Sequence, residues 1–126
     1  MNDINISNLT KRELEGLACL RSSPLSAASI AIKADDGRTY LFATHHYLDG
    51  VREANSTKDA SGSRERLILR FTTGEVVILG SRLVRIEERL AEGHLWGLKT
   101  IESRYATALE TGPIILSITV TRKVDV

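Results

Sequence analysis

The sequence predicts an α+β fold: a single domain with a mainly antiparallel sheet of about five strands, formed by two hairpins plus a C-terminal strand, and two or three helices. Three observations predict it. The chain of 126 residues is 42% hydrophobic and 26% charged, with Leu, Ile, Val and Phe together well above the roughly 20% level below which chains stay disordered. Two segments pair β-rich runs around glycine-containing turns, and a third segment switches to helical periodicity. A chain of this length builds one core and rarely two, so residues 1–126 are read as one unit.

The elements follow in order. Thr10 and Glu13 match a capping box, with Leu9 and Leu14 placed as a hydrophobic staple, and Leu14, Leu17 and Ala18 share a face. A short helix is expected there, ended by Ser22, Ser23 and Pro24, because the residue before proline avoids the helical region. Ile30 to Ala34 and Arg38 to Ala43 read as a hairpin around Asp35, Asp36 and Gly37, with the glycine in the left-handed position. Thr44 to Leu48 fits either an extended strand or a turn of helix. The polar stretch at about 49–63 is expected to be a flexible loop.

The strongest strand signal is the second hairpin, Arg66 to Thr72 and Glu75 to Gly80, around Thr72, Thr73 and Gly74. Val76, Val77, Ile78 and Leu79 are apolar on both faces, which implies a central strand covered on both sides, by helices or by another subunit. Leu83, Ile86 and Leu90 then form a helical stripe over Ser81 to Glu92, with Ser81 as its cap and Gly93 closing it. A weaker helix is expected around Thr100 to Leu109. Ile114 to Arg122 alternates as a half-buried strand that needs a pairing neighbour.

Seventeen basic against sixteen acidic residues give a formal charge of +1, which is no field for duplex nucleic acid. Cys19 is alone and lies among apolar residues, so a small buried hydrophobe in a reducing compartment is expected. No run of apolar residues has the length of a signal core or a membrane span. A soluble, cytoplasmic protein with no membrane partner is the expectation.

Three constellations bear on function. His45 and His46 are candidate metal or acid/base groups, but neighbours in an extended strand point to opposite faces, and no Cys/His framework accompanies them. Arg38, Tyr40 and Phe42 alternate so that a guanidinium and two rings share a strand face, a platform for single-stranded nucleic acid in principle. Trp96, the only tryptophan, either packs on the helix before it or anchors a partner. No nucleophile elbow and no phosphate-binding glycine loop occurs, so no catalytic residue, metal or cofactor is assigned. The reading that results is a small non-enzymatic interaction or binding module that self-associates. Its alternatives are single-strand binding through Arg38, Tyr40 and Phe42, and a metal- or ligand-dependent enzyme using His45 or His46.

Overall fold

A computed structural model describes residues 18–55, 63–101 and 112–123. Among the described residues the strands are β1 (Leu20–Ser22), β2 (Ser29–Lys33), β3 (Thr39–Ala43), β4 (Tyr47–Ala54), β5 (Glu65–Phe71), β6 (Gly74–Ser81), β7 (Leu95–Leu98) and β8 (Ile114–Arg122), with one α-helix, α1 (Val84–Ala91). The first sheet has the order β1-β7-β2-β3 and the second β4-β5-β6-β8. One sheet of about five strands is thus replaced by two sheets of four. All pairings are antiparallel except β2 with β7.

Both expected hairpins form. Gly37 takes φ 83° in the first turn, a conformation glycine adopts without steric cost, and its N–H donates to Ala34 O at 3.1 Å. Thr44–His46 is a single 3₁₀ turn that redirects the chain from β3 in the first sheet to β4 in the second.

Four expectations are corrected. The polar stretch after Asp49 begins as strand: β4 runs through Asp49, Arg52 and Glu53 to Ala54. It is an edge strand, and solvent on its open side lets charged residues occupy it, with Arg70 and Arg66 of β5 facing Asp49 and Glu53. The remainder of that stretch, 56–62, lies outside the described residues.

Leu20–Ser22, expected at a helix end, is strand β1 against β7, and β7 is the strand that joins β1 to β2. The helices expected near Thr10 and across Thr100 to Leu109 fall almost wholly outside the described residues. Ser81 does not cap α1: it is the last residue of β6, and Leu83 N–H instead donates to Glu65 Oε1 at 2.8 Å. Closure by Gly93 occurs as expected, at φ 78°.

Finally, β8 does not keep one alternation. Its register against β6 shifts between Leu79 and Gly80, so Ile115 and Ile118, an odd and an even position, are both fully buried. A Cβ on Gly80 would collide with the carbonyl oxygen of Ile114.

The inner faces of the two sheets share one core. Ile30, Ile32 and Phe42 from the first meet Leu67, Leu69, Phe71, Val76 and Ile78 from the second, with Leu83, Ile86 and Leu90 from α1 and its lead-in. Phe42 and Phe71 stack across the sheets at 4.5 Å between centroids and 27° between planes. Asp35, in the first hairpin's turn, ties the sheets at their margin, accepting from Ser117 Oγ at 2.7 Å and Ile118 N–H at 3.0 Å.

Candidate functional site

The Arg38, Tyr40 and Phe42 face does not assemble into an open platform. Phe42 is buried in the core. Tyr40 is half-buried, and its hydroxyl donates to Asp36 Oδ2 at 2.6 Å, which holds the Asp36 carboxyl below its ordinary range. Arg122 of β8 lies over both rings, its guanidinium carbon 5.5 Å from the Tyr40 centroid and 4.9 Å from that of Phe42. It also donates to Leu41 O at 3.0 Å. The cation meets the ring faces that a base would need, and it belongs to the fold's own cation–π contact. Arg38 is exposed, beside the turn.

His45 and His46 meet, contrary to the geometry of a strand. The 3₁₀ turn brings their rings edge to face at 4.3 Å and 62°. Among the described residues no group of three or more His, Cys, Asp or Glu side chains is placed to hold a metal ion. Trp96 is half-buried in β7, and its indole N–H donates to Leu25 O at 3.0 Å, fastening the connection between β1 and β2.

Two surfaces that single segments of sequence do not reveal stand out. On the outer face of the second sheet, strand register sets three rows across β4, β5, β6 and β8: Asp49, Arg70, Glu75, Thr121; then Val51, Ile68, Val77, Thr119; then Glu53, Arg66, Leu79, Ser117. The middle row is apolar, with Val51 39% exposed and Ile68 and Val77 half-buried, and charges flank it on both sides.

On the outer face of the first sheet lies a cleft of about 370 Å³. Its floor is Ala31 of β2 and Gly97 of β7, which stand opposite one another in the parallel pair. Arg21, Lys33, Lys99 and Thr39 surround it, and no carboxylate is among its described lining residues. Cys19 lines the cleft but is 2% exposed. Burial pushes its thiol up, against the opposing effects of the Ile115 amide and the Lys99 charge. A thiol so held stays protonated near neutral pH and is a poor nucleophile.

No helix among the described residues is long and apolar enough to cross a membrane. Comparison with protein-family models, curated proteins and solved structures finds no match.

Proposed function

We propose that the protein is a non-enzymatic interaction module that self-associates through the outer face of the second sheet. The observation that carries this reading is the apolar row Val51, Ile68, Val77 framed by charged rows of mixed sign. Such a row gains by burial, roughly 25 cal/mol per Å² of apolar surface removed from water.

The charge pattern supports a second copy as occupant and a two-fold axis as the relation. With the axis parallel to the strands and between β5 and β6, each row faces itself with its columns reversed. Arg70 then opposes Glu75 of the second copy, and Ile68 opposes Val77 of the second copy. An axis across the strands would instead set Arg70 against Arg66 and Asp49 against Glu53, like charges both times. Edge-to-edge pairing through β4 is disfavoured by its charged residues and by the register shift between Tyr47 and Asp49.

A charge exchange tests the arrangement in sedimentation equilibrium. The wild type is expected to be dimeric at micromolar concentration, and Arg70→Glu and Glu75→Arg each monomeric, because each sets like charges across the axis. A 1:1 mixture of the two variants is expected to form a heterodimer, since each copy then faces its opposite. A monomeric wild type overturns the reading, and so does a mixture that stays monomeric.

A further inference from the structure

We infer that His45 and His46 form a two-imidazole binding site for a divalent transition-metal ion, copper(II) foremost. The site lies on the turn between the two sheets and does not rest on the proposed self-association.

The turn makes the site. Adjacent residues of a strand project to opposite faces, but in a 3₁₀ helix they stand roughly 120° apart around the axis. Thr44–His46 makes that turn, and it sets the two rings edge to face with centroids 4.3 Å apart. The backbone on both sides of His45 is pinned. Thr44 N–H donates to Ala28 O and Thr72 N–H donates to His46 O, each at 2.9 Å, while Tyr47 N–H closes the turn onto Thr44 O. The pair is thus anchored to the lead-in of β2 in the first sheet and to the β5–β6 turn in the second. Imidazoles presented from a fixed backbone lose little freedom when they come to share an ion.

The separation of the rings selects the kind of ion. An imidazole nitrogen ligates at about 2.0–2.1 Å and stands about 1.1 Å from its ring centre, so each centre lies about 3.2 Å from a shared ion. Two such centres are about 4.5 Å apart when the bonds meet at a right angle and about 5.2 Å apart at the tetrahedral angle. The 4.3 Å between His45 and His46 matches the right-angle pair, the arrangement of square-planar and tetragonal ions with nitrogen and oxygen ligands. Turning a ring about its Cβ–Cγ bond leaves its centre in place, and that torsion is broad in histidine, so the nitrogens are aimed without changing the separation. A structural zinc site, closed by four protein ligands at tetrahedral angles, fits neither the number nor the spacing. Among divalent ions of this class copper(II) binds such ligands most tightly, and solvent oxygens complete its shell.

The chain has three histidines, and the third supplies an internal comparison. His94 Nδ1 lies 3.6 Å from Glu92 Oε2, an oxygen that also takes Arg89 at 3.0 Å. A copper ion that merely sought an accessible histidine would find this one too.

The test is a titration of the ¹⁵N-labelled chain with Cu²⁺, followed by NMR and by electron paramagnetic resonance. The paramagnetic ion is expected to broaden the amides of Thr44, His45, His46, Tyr47 and Thr72 first, and the resonance spectrum to show coupling to two imidazole nitrogens. His45→Ala changes an exposed position and is expected to leave the spectrum elsewhere as it was. It should reduce the coupling to one nitrogen and weaken binding about tenfold or more, since loss even of a group that only orients a ligand costs that much. His46→Ala is expected to do the same, and His94→Ala to leave the site's affinity unchanged. Coupling to a single nitrogen in the wild type would overturn the site. So would broadening centred on His94 or on other positions, or an affinity unaltered in His45→Ala.

Discussion

At Asp36 a fully exposed carboxylate accepts from Tyr40 Oη and from Arg38 N–H, and the Tyr40 bond is the larger cause of its lowered pKa. A carboxyl with a depressed folded value stabilises the fold above its ordinary value of 3.8 and loses that contribution as pH falls through the folded value. Tyr40→Phe is accordingly expected to be less stable than wild type at neutral pH. The gap between the two urea midpoints should narrow on acidification below the ordinary carboxyl range, and a gap independent of pH would show that ring packing alone was lost. The pair also shows what sequence conveys of a residue. Tyr40 and Phe42 share a strand face as alternation requires. That this face is the inner one, with Arg122 closing it from 80 positions away along the chain, follows only from the docking of β8 beside β3.

Among the elements, α1 begins in an unusual way. Arg82 adopts φ 56°, a conformation rare for a residue with a side chain, and no local side chain caps the helix. Its first free N–H is met by Glu65 of β5, whose carboxylate also lies 3.7 Å from Arg52, while Arg52 reaches Glu87 of α1 at 3.1 Å. Glu65→Ala removes this distant cap and is expected to cost about 1–2 kcal/mol, as loss of a helix cap does, measurable by urea denaturation. Glu65→Gln keeps an acceptor and is expected to fall between. The apolar stripe of α1, its closing glycine and both hairpins were legible because each signal is local. Strands β1, β4 and β7 were not: β1 and β7 have three and four residues, too short for a period to show. β4 carries charges where alternation would place apolar residues, because only one of its edges is paired. The Arg21, Lys33 and Lys99 cluster was invisible for a related reason, since only the pairing of β7 on both sides brings the three together.

For the molecule as a whole, the two sheets and α1 bury their side chains in one cluster. Neither sheet has a second apolar face of comparable burial, so neither retains a core once the other separates. Unfolding is expected to be a single transition in which calorimetric and van't Hoff enthalpies agree. Phe71 contacts both Phe42 and Tyr47, at 4.5 and 5.6 Å between centroids. Phe71→Ala should lower stability by about 3–5 kcal/mol while leaving one transition, and two resolved transitions in the variant would contradict a shared core. The placement of β7 has a further consequence for how such a chain comes into being. β2 is made early, yet its neighbour β7 is made only after the whole β5–β6 hairpin and α1. During synthesis the order of emergence and the order of assembly therefore differ, and one side of β2 waits with its backbone groups unmatched. Pairings between segments so remote in sequence close slowly. The nascent chain is thus most vulnerable to intermolecular pairing in the interval before Leu95–Leu98 leaves the ribosome.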